Sequence, residues 1–317
     1  MHRHKTWLAS LALLLAACGG SSESTAQPAD GLAVVATTSV LGDVVRNVVG
    51  DAATVEVLMG PGSDPHEFQP SARQAESIRT ADLVVAVGLG LEEGLIDVIE
   101  AEGANVLELA DMLDPLPFAE HGEDTEEDED AHAEEEDELG HGDEDPHFWQ
   151  DPTRVATAAD LIAERLAGID ASTDWVANAD AYADELRTVD AEIEQELAAI
   201  PEDRRKIVTN HEAFGYFADR YGFEIIGVVI PGGSTLAEPS ASDLADLVAE
   251  LEEEGVTAIF AENTNPSALA DAVAAELGTE VQVYELYSDS LGEPGSVADT
   301  YVGMIESNAA TILEALS

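Results

Sequence analysis

Eight histidines are spread along the 317-residue chain, and their surroundings divide them into three groups. Two stand within the first four residues. Three lie in a strongly acidic segment: His121, His132 and His141. The other three each stand in a predicted loop next to a strand or helix: His66, His147 and His211. Imidazole and carboxylate groups together are the donors that zinc and neighbouring transition metals bind in proteins. A lone loop histidine is more often a surface residue, so a metal site is indicated only because all three share one kind of position.

The elements that must position these side chains follow an α/β pattern, in which apolar β-rich runs alternate with helical periodicity. The predicted strands are 32–37, 54–59, 82–87, 105–109, 206–210, 224–229, 256–261 and 281–286. The predicted helices between them are 40–49, 71–80, 92–102, 212–221, 240–254, 267–277 and 297–316. An unbroken helical pattern at 173–200 would be about 42 Å long at 1.5 Å per residue. We therefore expect two α/β lobes with mainly parallel sheets, 32–172 and 201–317, joined by this one long helix.

Ligands of open α/β sheets collect beyond the carboxyl ends of the strands. His66 and His211 follow predicted strands, and His147 precedes a helix. Two acids, Glu262 and Asp289, also follow predicted strands. Residues from both halves of the chain would thus converge in the cleft between the lobes, a natural ligand site. The residues alone leave open which acid completes the site.

The amino terminus has the features of an exported protein. A cationic start is followed by an apolar run from Trp7 to Ala17, which is too short to span a bilayer and has the size of a signal-peptide core. Leu15, Ala16 and Ala17 before Cys18 resemble the bacterial lipobox, which predicts a signal peptide at 1–17 and an acylated Cys18. The polar stretch 18–31 would then be a tether. The alternative is an ordinary signal peptide with an incidental cysteine.

The net charge of −55 disfavours binding to nucleic acid or to anionic lipid. We predict that the acidic segment at 119–145 is a disordered loop, because it has almost no apolar residues with which to offset its ordering entropy. Acids are also abundant elsewhere in the chain, which suggests adaptation to high salt, where screening reduces self-repulsion. With its single cysteine, Cys18, the chain can form no internal disulfide.

Longer motifs surround the candidate ligands. They are Gly62-Ser63-Asp64-Pro65-His66, Asp145-Pro146-His147-Phe148-Trp149, Asn210-His211-Glu212-Ala213-Phe214 and Asp289-Ser290-Leu291-Gly292. With these motifs the chain resembles the zinc/manganese cluster of ABC-transporter solute-binding proteins, also called bacterial solute-binding protein family 9. The resemblance implies a two-lobed metal-capture protein whose rigid connecting helix limits lobe closure. It also implies four metal ligands: His66, His147, His211 and Asp289. Glu262 falls at a family position beside the ligands, with direct ligation as the alternative.

The resemblance also bears on the choice of metal. Family members that prefer manganese often have a carboxylate at the third ligand position, where this chain has His211. Three nitrogens and one carboxylate favour Zn²⁺, with Mn²⁺ as the alternative because some three-histidine members handle manganese. A histidine- and acid-rich insertion is associated with zinc importers in the family. His121, His132 and His141 would then form an accessory, weak metal-binding loop, and the alternative is a solvated charge run.

By the same resemblance, the protein is expected to be a monomeric lipoprotein anchored to the outer face of the cytoplasmic membrane. It would deliver its metal to an ABC permease driven by a cytosolic ATPase. A zinc hydrolase with Glu262 as general base is the main alternative, although four protein ligands leave little room for a reactive water. His211-Glu212 also lacks the second histidine of a zincin motif. A surface adhesin is a third alternative that nothing in the sequence supports, and we expect no enzymatic activity.

Overall fold

The computed structural model describes residues 31–118, 144–278 and 280–317. These residues contain two parallel sheets of four strands each, in the orders β2-β1-β3-β4 and β6-β5-β7-β8. The first sheet contains β1 Leu32–Ala36, β2 Ala53–Val57, β3 Leu83–Ala86 and β4 Val106–Glu108. The second contains β5 Lys206–Thr209, β6 Glu224–Val228, β7 Ala258–Glu262 and β8 Gln282–Leu286. The prediction of a two-lobed α/β fold with parallel sheets is confirmed.

Helices connect and cover the strands, as parallel pairing requires. The described helices are α1 Ser39–Val49, α2 Ala72–Thr80, α3 Glu93–Glu102, α4 Pro152–Ile169, α5 Trp175–Leu197, α6 Gly215–Tyr221, α7 Ala241–Glu254, α8 Ala268–Leu277 and α9 Tyr301–Leu316. Several begin at side-chain caps that the sequence makes visible. Ser240, for example, accepts a hydrogen bond from the backbone of Asp243, whose side chain accepts one in return, which forms a capping box ahead of α7.

Two helices pack into the hydrophobic cores of both lobes. The first half of α5 contributes Ala183 and Leu186 to the core around the first sheet, and the second half contributes Ile193 to the core around the second sheet. The last helix divides in the same way, because Met304 of α9 packs in the first core and Ile312 in the second. The described residues between 31 and 317 accordingly form a single compact unit.

Three helices are shorter by three or more residues than their sequence patterns indicated. The connecting helix α5 runs over Trp175–Leu197, inside the expected 173–200, because Asp174 caps its first turn. Helix α6 starts at Gly215 rather than at 212, since the backbone just after β5 is held by hydrogen bonds described below. Helix α9 starts at Tyr301 rather than at 297, because Thr300 caps the helix by accepting a hydrogen bond from the backbone of its first turn.

Of the acidic segment at 119–145, only Glu144 and Asp145 are described. Residues 119–143, which contain His121, His132 and His141, lie outside the described residues, as do residues 1–30 with Cys18. The expected boundary at 145 needs correction, because Glu144 forms an antiparallel bridge with Pro117 and Asp145 is fully buried. Within the described ranges, no helix combines the length and apolar character that crossing a bilayer requires.

Candidate metal centre

Four of the predicted site residues come together in the interior of the molecule. Each of His66, His147, His211 and Asp289 offers one ligand atom, and these atoms all lie within 4.8 Å of one another. None of the four residues is more than 2% exposed. The histidine rings are close neighbours, with centroids 5.2 to 5.9 Å apart. Two lobes thus supply donors to one enclosed point, since His66 and His147 precede α5 and the other two residues follow it.

His66 is held by an acidic residue two positions before it. The backbone N–H of His66 donates to Oδ1 of Asp64 at 2.9 Å. The second oxygen, Oδ2, accepts a hydrogen bond of 2.6 Å from the hydroxyl of Thr235, which lies between β6 and α7 in the other lobe. This carboxylate therefore shapes the loop after β2 and ties it to the opposite lobe.

His147 is held by a similar device. The backbone N–H of His147 donates to Oδ1 of Asp145 at 2.8 Å, and Nδ1 of the same ring lies 2.7 Å from that oxygen. Asp145 is itself fixed, because its own N–H donates to the carbonyl of Leu116 and its carbonyl accepts from the hydroxyl of Tyr216. The ring thus presents Nε2, which lies 3.6 Å from Oδ1 of Asp289.

His211 follows β5 and is oriented by the last residue of β7. Oε1 of Glu262 accepts hydrogen bonds from the backbone N–H groups of Asn210 and His211, at 3.0 and 2.9 Å. Oε2 of Glu262 lies 2.5 Å from Nδ1 of His211. Strands β5 and β7 are neighbours in the sheet, which brings their carboxyl ends together. Nε2 of His211 then lies 3.4 Å from Oδ2 of Asp289.

Asp289 sits in the loop after β8, between two residues that contact the first lobe. The carbonyl of Ser288 accepts a hydrogen bond of 2.7 Å from Nε1 of Trp149. The hydroxyl of Ser290 accepts one of 2.7 Å from the backbone of Gly62. These contacts on either side hold the carboxylate of Asp289 against the histidine cluster.

The spacing of the donor atoms is close to that of atoms bound to one metal ion. Two ligand atoms at about 2.0–2.1 Å from a tetrahedral zinc ion would be about 3.3–3.4 Å apart. Oδ2 of Asp289 lies 3.4 Å from Nε2 of His211, and Oδ1 of the same carboxylate lies 3.6 Å from Nε2 of His147. Buried polar atoms normally have hydrogen-bond partners. Within the described part of the chain, Nε2 of His211 and both carboxylate oxygens of Asp289 are buried without one, so the donor set fits a metal ion.

Burial and mutual attraction shift the protonation of these groups. Burial lowers the pKa of His211, but the negative charges of Glu262 and Asp289 outweigh it and raise this pKa to about 10. Burial raises the pKa of Asp289 and that of Asp145 to about 8. Burial also acts to raise the pKa of Glu262, but the nearby His211 brings it below its usual value. Without a metal the site therefore holds protons at neutral pH on the atoms that a cation would use.

The structure separates the roles of the two acids that the sequence left open. Asp289 points at the histidines, whereas both oxygens of Glu262 are engaged by His211 and the backbone beside it. Asp145 was missed as a site residue from the sequence alone because it is the last residue of the acidic segment and does not stand out among the other acids there. A repeated Asp-Pro-His tripeptide could have revealed it, since Asp64-Pro65-His66 and Asp145-Pro146-His147 use the same carboxylate-to-backbone hydrogen bond.

Two parallel-sheet α/β lobes around one buried cluster of donors define a cleft-type binding protein. Residues 34–315 match the family described as zinc-uptake complex component A, periplasmic, and the chain belongs to this family. The chain is similar to the manganese-binding lipoprotein MntA of Halalkalibacterium halodurans, with 31% identity over 97% of this chain and 96% of MntA. It is 33% identical to the zinc-binding protein TroA of Treponema pallidum over 91% of this chain and 90% of TroA. The solved structure of that TroA matches with a TM-score of 0.76 and 31% identity, over 90% of this chain and 99% of TroA.

Proposed function

We propose that this protein captures one divalent metal ion, Zn²⁺, outside the cell membrane and delivers it to an ABC importer. The observation that carries the proposal is the buried cluster of four donor atoms within 4.8 Å of one another. In this proposal the ligands are His66, His147, His211 and Asp289. The metal is cargo, so the site must bind it tightly and release it to a partner.

Three imidazole nitrogens and one carboxylate favour zinc over manganese, because a site with nitrogen donors generally binds Zn²⁺ more tightly than Mn²⁺. Relatives of similar identity are named for zinc (TroA) and for manganese (MntA). Manganese is accordingly the second candidate cargo. Four protein donors also suit zinc, since tetrahedral four-coordination is the usual geometry of zinc in closed protein sites.

The arrangement supports binding rather than catalysis. A catalytic zinc site keeps a position open for water and has a general base beside it. Here four protein donors converge on one point, and Glu262, the base that a hydrolase would need, accepts hydrogen bonds from His211 and the backbone. The family consists of the binding components of transporters, which agrees with this assignment.

Location and partners follow from the relatives and from the amino terminus. MntA is named a lipoprotein, and Cys18 of this chain would carry the lipid that anchors the protein to the outer face of the cytoplasmic membrane. The partners would be the membrane permease and the cytosolic ATPase of the importer. We further propose that the protein acts as a monomer built from the lobes 32–172 and 201–317 and the connecting helix at 173–200.

The acidic segment is proposed to bind zinc weakly through His121, His132 and His141. Scattered imidazoles and carboxylates would raise the local concentration of zinc near the cleft. Deletion of residues 119–143 leaves the Pro117–Glu144 bridge in place and tests the idea. We expect the loss of weakly bound ions in a zinc titration, with the tight site retained. An unchanged number of bound ions would reject a role for the segment.

The central test is metal analysis of protein purified without added metals. We expect one zinc ion per chain, its loss in His211→Ala, and its retention in His132→Ala, which removes a histidine outside the proposed site. Manganese in the parent protein would overturn the choice of zinc but leave metal capture standing. A parent protein that binds neither ion with an affinity better than micromolar would refute the proposed function.

A further inference from the structure

The proposed site contains two histidine–carboxylate pairs, Asp145 with His147 and Glu262 with His211. We infer that Asp145 is a positioning residue for the metal and acts through the location of one oxygen atom, whereas Glu262 needs both of its oxygens. Asp145 should therefore tolerate replacement by the neutral amide, and Glu262 should not. The inference rests on the proposed function and extends it to two residues that do not touch the metal.

Two contacts between the Asp145 side chain and His147 converge on one atom. Oδ1 accepts from the backbone N–H of His147 at 2.8 Å and lies 2.7 Å from Nδ1 of the same ring. The backbone of Asp145 is anchored on both sides, by the carbonyl of Leu116 at 2.7 Å and the hydroxyl of Tyr216 at 2.7 Å. The second oxygen, Oδ2, faces Gly215, where a side-chain carbon would come within 2.6 Å of it. Packing therefore fixes which oxygen faces the histidine.

An acceptor on Nδ1 decides which nitrogen of the ring can bind a metal. A carboxylate opposite Nδ1 keeps the ring proton there and leaves the lone pair of Nε2 available. In His147 this Nε2 atom is directed at Asp289, 3.6 Å away. Asp145 thus sets both the orientation of the ring and the tautomer that the metal requires.

The hydrogen bonds of Glu262 are divided between its two oxygens. Oε1 accepts from the backbone N–H groups of Asn210 and His211, and Oε2 faces Nδ1 of His211 at 2.5 Å. Every group that faces this carboxylate in these contacts is a donor. Both oxygens must accept if the ring proton of His211 is to remain on Nδ1.

The two geometries predict opposite responses to an amide. In Asp145→Asn, the single amide oxygen can accept both hydrogen bonds from His147, and the NH₂ group takes the place of Oδ2. In Glu262→Gln, one side of the amide must present NH₂ to a donor. If NH₂ faces the backbone, two N–H groups lose their acceptor. If it faces Nδ1, the ring proton must move to Nε2, which can then no longer bind the metal.

The experiment compares zinc affinity in full-length variants by competition with a chelator. It adds the visible absorption of Co²⁺ in place of Zn²⁺, which reports the geometry of the site. We expect a loss of less than about tenfold for Asp145→Asn and about 10- to 100-fold for Asp145→Ala, in line with other groups that orient metal ligands. For Glu262→Gln we expect a loss of about 100-fold, at the upper end of that range, and an altered Co²⁺ spectrum. Glu144→Gln removes a neighbouring charge without touching a histidine and should match the parent.

Equal losses in Asp145→Asn and Glu262→Gln, or an unchanged affinity in Asp145→Ala, would overturn the inference. If Glu262→Gln does not fold, imidazole ¹⁵N NMR of the zinc-loaded parent decides. Nδ1–H with metal on Nε2 in both His147 and His211 supports the inference, and metal on Nδ1 of His147 refutes it. A parent protein that binds no zinc would instead contradict the proposed function, so the two failures are distinguishable.

Discussion

Lowering the pH from 8 to 6 should weaken zinc binding by about 100- to 10,000-fold, because the metal must displace protons from the site. The perturbation acts on two groups that face each other across 3.4 Å, His211 and Asp289. Neighbouring carboxylates raise the pKa of His211 to about 10, and burial raises that of Asp289 to about 8. Below pH 8 the metal-free site therefore holds at least one proton and at most two on these ligands.

The magnitude follows from that count. Each proton released per bound ion changes the affinity tenfold per pH unit. If one proton is shared between the imidazole and the carboxylate, two pH units change the affinity about 100-fold, and if each group has its own proton the change is about 10,000-fold. An unperturbed histidine, with a pKa of about 6.5, would produce almost no change between pH 7.5 and 8. The structure therefore predicts a steep dependence that continues well above neutral pH.

The assay is isothermal titration calorimetry in buffers of different ionisation enthalpy, which gives the number of protons released. Competition with a chelator at each pH gives the affinity. Asp289→Asn removes one of the two protonated groups and part of the attraction that raises the pKa of His211, so its slope should be smaller than that of the parent. An affinity that stays constant between pH 6 and 8, or zinc binding without proton release, would refute the reasoning.

Three further predictions concern stability. Because the pKa of His211 is raised from 6.5 to about 10 in the folded, metal-free protein, its protonation stabilises the fold fully below pH 6.5, and this stabilisation is lost as the pH rises through about 10. The pKa of Asp289 is raised from 3.8 to about 8, so its contribution is lost as the pH rises through about 8. The increase in Tm caused by zinc should thus grow from pH 6 to 8 in scanning calorimetry, and a constant increase would contradict it. Arg220→Ala breaks a partly buried pair with Asp190 on α5 and should lower the free energy of unfolding by about 1–3 kcal/mol in urea, whereas Arg187→Ala, in an exposed pair, should leave it unchanged. With a net charge of −55, Tm should rise steeply from dilute buffer to molar salt, and flat melting behaviour would reject adaptation to salt.

The fold could be predicted from the sequence because buried parallel strands leave a strong local signal. Strands β1, β3 and β7 each contain an unbroken apolar run of four or more residues, and all eight observed strands overlap the predicted ones. Helix boundaries were less predictable where tertiary contacts override local preference. The residues after β5 have a helical pattern, but Glu262 and Thr209 bind the backbone at His211 and delay the start of α6 until Gly215.

The candidate site was predictable in its members but not in its supporting contacts. The placement of three loop histidines beside strands or helices is visible in the sequence, and the structure brings them together with Asp289. The hydrogen bond between Glu262 and His211 joins residues that are 51 positions apart, and no local sequence pattern indicates it. Asp145 is only two residues from His147, yet its role was hidden because acids surround it in the sequence and only the folded chain shows that this one is buried.

The way the two lobes are joined determines how a metal can reach this site. Separating the lobes as rigid bodies would require α5 and α9 to leave one of the two cores, since Leu186 and Met304 pack in the first and Ile193 and Ile312 in the second. Withdrawing even two such side chains from a core costs about 3–6 kcal/mol, at about 1.5–3 kcal/mol for each side chain. The loop that carries His66 is joined to the other lobe by single hydrogen bonds, from Thr235 to Asp64 and from Gly62 to Ser290. Each hydrogen bond of this kind contributes about 0.5–1.5 kcal/mol net, or up to about 3 kcal/mol when a charged group takes part. Movement of this loop is therefore the less costly route, and we infer that zinc enters and leaves by its displacement while the two long helices stay in place.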